Sequence, residues 1–194
     1  MGSLLDFDFD AGERLSALSP DHTVKGMFTA QVVKQLRREE LDALRKDLVS
    51  PPRGMPLPFA DYPVVDHQRL TIALVRKLFP GLPLTEALRR FERSSASRFA
   101  DTTLGKVMVS MLRDPSAGLM KLPEISRMVS NVGDIVASRT SEGFVRLQYS
   151  KYSGFVDCAI VGSLEGVVQF FGKQPKIDVE IRGAHDASYL VRWT

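Results

Sequence analysis

At Gly133 the hydrophobic period of this 194-residue chain changes. Upstream, apolar residues recur every three or four positions. Downstream, Val145, Leu147 and Tyr149 alternate with Arg146 and Gln148, and Ile177, Val179 and Ile181 alternate with Lys176, Asp178, Glu180 and Arg182. A period of two sends neighbouring side chains to opposite faces, so each stretch is a strand with one dry and one wet side, the usual antiparallel arrangement. Ser141-Glu142-Gly143 is a hairpin turn after a strand at residues 134–139, and residues 183–187 turn the second stretch into residues 188–193. Residues 155–171 between the hairpins are nearly all apolar and too long for a strand, which predicts a buried helix. The expected class is α+β: helices packed on one face of a C-terminal four-stranded antiparallel sheet built from two hairpins, with a long apolar helix between the hairpins.

The upstream pattern is helical. Residues 27–48 place Val32, Val33, Leu36, Leu41, Leu44 and Leu48 at helical spacings, enough for one or two helices. Five prolines between residues 51 and 63 forbid a helix there and predict an ordered, extended loop. A helix over 64–79 carries Leu70, Leu74 and Leu78 and stops at Pro80-Gly81; a short one over 85–93 has a basic side of Arg89, Arg90 and Arg93. Residues 98–113 bear two stripes, Phe99, Thr103, Val107 and Met111, then Leu104, Met108 and Leu112, which predicts a central helix packed on two sides. Asp114-Pro115 breaks it, and a further helix over 116–129 bends at Pro123.

Residues 1–20 hold Asp6, Asp8, Asp10 and Glu13 against Arg14 alone, so they read as an acidic, flexible tail ahead of a single α+β domain spanning 21–194. The alternation of Leu and Phe with Asp in that tail also resembles a short docking peptide. The formal charge of +3 is too small to mark a nucleic-acid binder without a localised patch, and the strip Arg89, Arg90, Arg93 and Arg98 reads as a solvated helix face. The start lacks a basic n-region and an apolar core, Asp6 stands where myristoylation needs Ser or Thr, and no run of about 18 apolar residues occurs. One cysteine, Cys158, leaves no internal disulfide or Cys-rich zinc site and fits a reducing, cytoplasmic setting.

No catalytic residues and no metal ligands stand out. Gly162-Ser163-Leu164-Glu165-Gly166 lacks the spacing of a nucleophile elbow, no phosphate-cradling loop precedes a helix, and His22, His67 and His185 have no partner at metal-ligand spacing. Residues with a ligand-binding reading remain. His67 shares the stripe of Leu70, as a hydrogen-bonded core histidine or a ligand group. Met108 lies on the doubly apolar helix. Cys158, Gly162 and Gly166 fall at i, i+4 and i+8, a small-residue groove open to close approach by another backbone or by a bound molecule. Glu165 borders that groove and pairs in spacing with Asp157, as an exposed helix edge or an acid/base pair.

Val24-Lys25-Gly26-Met27-Phe28, Tyr62-Pro63, the run Leu78-Phe79-Pro80-Gly81-Leu82-Pro83 with Glu86-Ala87-Leu88-Arg89-Arg90 after it, and Tyr189-Leu190-Val191-Arg192-Trp193 together resemble a myxobacterial paralogous family of unassigned function, over roughly residues 23–194. Gly154 followed by Gly162-Ser163-Leu164-Glu165-Gly166 is similar to the penultimate helix of 4-vinyl reductase domains, in the superfamily that also holds haem nitric-oxide-binding domains and small trafficking-complex subunits. That resemblance implies helices over a C-terminal sheet enclosing a small-molecule pocket. The haem domains use a proximal histidine and a Tyr-x-Ser-x-Arg motif. The nearest segment here, Tyr149-Ser150-Lys151-Tyr152-Ser153, has another spacing and no arginine, so no cofactor, haem included, is expected.

The expected function is a non-enzymatic regulatory or signalling domain that binds a small apolar or amphipathic ligand and passes occupancy to a protein partner or a second copy, without nucleic acid or a membrane span. The alternatives are an interaction module or homodimeric scaffold with no pocket, and, third, an enzyme.

Overall fold

The computed structural model describes residues 11–16, 18–140 and 143–194. In chain order it holds α1 (Ala11–Ser16), β1 (Thr23–Lys25), α2 (Gly26–Val33), α3 (Arg38–Leu44), β2 (Asp61–Pro63), α4 (Val64–Leu78), α5 (Leu84–Arg93), α6 (Ser95–Ala100), α7 (Thr103–Val109), α8 (Pro115–Val129), β3 (Asp134–Arg139), β4 (Val145–Ser150), α9 (Ala159–Phe170), β5 (Pro175–Gly183) and β6 (Asp186–Trp193). The strands from β3 onward form one antiparallel sheet in the order β3-β4-β6-β5, so the two hairpins join through β4 and β6. The α+β class read from the sequence is the class of the fold. Along β4, Val145, Leu147 and Tyr149 are buried and Arg146, Gln148 and Ser150 exposed, as the period of two requires. A second sheet, not expected, pairs β1 with β2 and ties the end of the proline-rich loop to the entry of α2. Of the expected turn, Ser141 and Glu142 lie outside the described residues; Gly143, at φ +82°, and the 2.8 Å bond from the Thr140 N–H to the Phe144 carbonyl close the hairpin.

The core is split. One cluster joins α2, α4 and α5 through Val32, Leu70, Leu74, Leu88 and Phe91; a second joins the sheet to α8 and α9 through Leu119, Leu147, Leu164, Val168 and Tyr189; a third, small one gathers Val24, Val64 and Val132. Helix α9 bridges the two larger ones. Its Gly162 and Gly166 lie directly under the backbone of α5, where a Cβ would come to 2.1 Å from the Arg89 carbonyl oxygen and 2.1 Å from that of Arg93. Glu165 faces the same helix and accepts from Arg89 and, at 2.9 Å, from Nε of Arg93. The glycine groove is therefore occupied by a helix, because only residues without a Cβ allow so short an approach.

Two further expectations are corrected. Residues 98–113 are not one helix: Thr102 accepts from the Gly105 N–H at 2.9 Å and donates to the Phe99 carbonyl at 2.7 Å, so its hydroxyl ends α6 and caps α7. The two-sided burial goes with it, since Met108 is buried while Val107 and Met111 are 60% and 66% exposed. Part of the stretch read as a tail is packed. Ala11 and Leu15 of α1 rest on the helical cluster, and Arg14 donates to both carboxylate oxygens of the buried Asp157 at 2.8 Å each. Residues 1–10 lie outside the described residues. Because Arg14 ties the six-residue α1 to a buried carboxylate, Arg14→Ala is expected to raise amide exchange in 11–16 by about fivefold and to lower global stability by about 1–3 kcal/mol, as Asp157 loses this partner. Hydrogen exchange read by mass spectrometry checks this, and unchanged protection of 11–16 would show that Arg14 does not hold the helix.

Candidate functional site

A cavity of about 270 Å³ opens on the seam where the three clusters meet. Its walls come from α2 (Phe28, Gln31), α4 (His67, Gln68), the α5–α6 stretch (Phe91, Glu92, Ser95, Arg98, Phe99), α8 (Leu122, Ile125, Ser126, Val129), the sheet (Ile135, Tyr149), the Tyr152 to Phe155 segment and α9 (Ile160, Ser163, Val167). Most of that surface is apolar, and the polar groups gather in a few places. That mixture is the usual make-up of a small-molecule site, at the small end of the usual volumes of roughly 300–1,000 Å³.

Local structure sets the polar groups. Lys151, at φ 51°, occupies the left-handed region that non-glycine residues seldom adopt, which swings the chain out of β4. The β5–β6 turn holds it there: the Lys151 N–H donates to Asp186 Oδ1 at 3.1 Å, the Tyr152 N–H to the His185 carbonyl at 2.9 Å, and the His185 ring meets the Tyr152 carbonyl at 3.1 Å. Tyr152 is thereby set edge-on to Tyr149, with ring centroids 4.9 Å apart. Gly133 allows this packing; it has φ +55°, and a Cβ there would sit 2.6 Å from the Lys151 and Ser150 carbonyl oxygens. On the opposite wall, the Arg98 guanidinium lies 4.0 Å over the Phe91 ring, donates to the Phe91 carbonyl at 2.6 Å and approaches Glu92 at 3.4 Å.

Burial governs the protonation of these groups. It lowers His67 to about 4, with the Arg98 charge adding to the effect, so the imidazole is neutral near neutral pH. It raises Glu92 against the opposing pull of Arg98, and lowers Arg98 against that of Glu92. Tyr152 rises to about 12 through burial and the neighbouring Glu92, and Tyr149 rises well above its ordinary value through burial and its two tyrosine neighbours. The cavity thus presents one internally compensated ion pair, a neutral imidazole with Nδ1 3.4 Å from Thr29 Oγ1, and phenols in their protonated form. It can bind a molecule with an apolar body and hydrogen-bonding groups. It offers little to a compact, strongly charged one.

Of the six residues singled out from the sequence, the cavity wall takes His67. Gly162, Gly166 and Glu165 belong to the α5–α9 contact, Met108 is buried in α7, and Cys158 is buried at the start of α9 with its thiol pushed up by burial and by Asp157. Asp157 and Glu165 serve separate ion pairs, so they do not act together. The basic strip is largely neutralised, Arg89 and Arg93 by Glu165, Arg90 by Glu86 and Arg98 by Glu92. Sequence reasoning missed Glu92, Arg98, Tyr149 and Tyr152 as site residues. Arg98 reads from the sequence as part of a solvated helix face, and Glu92 lies in the polar run Glu92-Arg93-Ser94-Ser95, which gives no local signal of burial. Among the described residues no cluster of three or more His, Cys, Asp or Glu could hold a metal ion, and no helix is long and apolar enough to cross a membrane.

A family model described as a protein of unknown function, DUF2378, matches residues 17–194. The chain belongs to this family. No curated protein matches it. Solved structures place the DUF2378 chain beside H-NOX proteins in fold: one from S. oneidensis in the Fe(II)NO ligation state, at 16% identity and TM-score 0.65, covering 88% of this chain and 99% of that one; a K. algicida variant at 12% and 0.66, covering 88% and 96%; and a T. tengcongensis variant at 19% and 0.65, covering 88% and 97%. At these identities the likeness is one of fold. Heme is named for the H-NOX family, which sets the fold likeness at odds with the expectation that haem is absent. His67 supplies a neutral imidazole of the kind that binds iron. The other requirements fit poorly: a haem brings two carboxylates, whereas Arg98 is already engaged by Glu92 and Phe91, and the volume is small for a macrocycle.

Proposed function

We propose that this DUF2378 chain is a non-enzymatic sensory domain that holds a small apolar or amphipathic molecule other than haem in the seam cavity, and relays its occupancy to a protein partner in the cytoplasm. The observation that carries this reading is the position of the cavity. It is lined by members of all three hydrophobic clusters, beside the α5–α9 contact, so a ligand that fills it bears on how the helical and sheet parts of the core meet. The likeness to H-NOX domains supports a ligand-binding role, and the compensated Glu92–Arg98 pair supports a ligand without strong net charge.

The test compares native and denaturing mass spectra of the purified protein, then titrates it with hexanoate to decanoate, indole and hemin. A stoichiometric small molecule released on unfolding, or saturable binding of an apolar probe, is expected. Leu122→Trp, which fills the cavity, should weaken binding at least about tenfold with the fold intact by circular dichroism. A stoichiometric Soret band that disappears in His67→Ala would overturn the non-haem reading. Absence of every ligand, with no shift in melting temperature, would overturn the sensor itself. In that case the exposed Val107 of α7 and Met111 just after it favour the second reading, an interaction module.

A further inference from the structure

A second concavity, of about 430 Å³, lies away from the cavity, between α2, α3 and the proline-rich loop. Its floor is apolar, from Val33, Leu36, Leu41 and Leu48, and Met55 stands on the loop side at 53% exposed. Its rim is cationic. Lys34, Arg38, Arg45 and Arg53 are all exposed there; Arg38 and Arg45 share Asp42, whereas Lys34 and Arg53 have no ion pair among the described residues. The loop wall is held in place, because the buried Asp66 accepts the Val49 and Ser50 N–H groups at 2.8 and 2.7 Å. An apolar floor under unpaired cations suits an occupant that alternates apolar and acidic residues.

This chain carries such a segment. In extended backbone, Leu5, Phe7 and Phe9 would project to one side and Asp6, Asp8 and Asp10 to the other. It ends at Ala11, and α1 packs through Ala11 and Leu15 on the same cluster that receives Leu41, Leu44 and Leu48. Seven extended residues reach about 23 Å, which is the span this segment has for meeting the groove. We propose that residues 4–10 dock in this groove of their own chain, apolar side down and aspartates toward Lys34 and Arg53.

Photocrosslinking on the full chain tests this, with p-benzoylphenylalanine in place of Phe7 and peptide mapping by mass spectrometry. Crosslinks to residues 33–55 at monomer mass are expected. In a Lys34→Glu/Arg53→Glu variant they should fall about tenfold, and Asp6→Lys/Asp8→Lys in the same chain should restore them. Both cations are exposed, so the charge-reversed chain should keep its fold, and its circular dichroism confirms that. Crosslinks at dimer mass, crosslinks elsewhere on the chain, or yields indifferent to charge reversal would each overturn the proposal. None of these results depends on what the seam cavity binds.

Discussion

Gly162→Ala is expected to destabilise the fold by about 3 kcal/mol, and Gly162→Ala with Gly166→Ala to prevent α5 from seating on α9. The added methyl would lie 2.1 Å from the Arg89 carbonyl oxygen. That neighbour is backbone inside a helix, so the clash is relieved only by moving α5 as a body, which strains the Arg89 and Arg93 bonds to Glu165 as well. Alanine's better helix propensity, worth roughly 1 kcal/mol against glycine, offsets part of this and does not reverse it. Gly54 is the control, since a Cβ there meets nothing within 4 Å; Gly54→Ala should change stability by less than about 0.5 kcal/mol. Urea denaturation of the three variants decides the matter. A Gly162→Ala chain as stable as the unsubstituted one would mean that the α5–α9 approach is looser than described and that the groove could admit something else.

The glycines also show where reading the sequence stops. Spacing at i, i+4 and i+8 was enough to infer a close approach on one face of α9, but nothing local says which element arrives there. That is fixed by α5 crossing from 76 positions upstream, with Arg89 reaching Glu165. The sheet was legible because its signal is local: a period of two in β4 and β5, and glycines at the turns. Strand order beyond the hairpins was not, since β4 and β6 pair across the whole of α9. The helix expected over 98–113 failed for a different reason. Its apolar spacing is real, but the Thr102 hydroxyl and the Gly105 backbone outcompete continuity over a single turn. The candidate site was the least legible part. Glu92 and Arg98 look like ordinary helix-surface charges along the chain, and become cavity residues only when α8 and the Tyr152 segment close over them.

His67 should make stability depend on pH in a window that exposes the character of the cavity. Its pKa is lowered from an ordinary 6.5 to about 4 by burial first and by Arg98 second. Between those values the unfolded chain binds a proton that the folded chain refuses, so stability rises with pH across the window. It is undiminished above about 6.5, falls as the medium is acidified from there toward 4, and falls no further on this account below that. The full difference is about 3 kcal/mol, from roughly 1.4 kcal/mol per unit. Glu92 slopes the other way. Its pKa is raised, so the stability linked to it is present below its ordinary value and lost as pH rises through the folded one. His67→Gln separates the two, because it should remove the His67 loss between 6.5 and 4 and leave the Glu92 trend. Urea denaturation at half-unit steps from pH 4 to 7, with the His67 ring followed by NMR beside His22 and His185, gives both quantities. A His67 pKa near 6.5 would mean a hydrated cavity with water stabilising the imidazolium, unsuited to an apolar ligand. A value near 4 that falls further when an apolar probe is added would place that probe against the ring, because excluding the remaining water deepens the same desolvation that lowers the pKa.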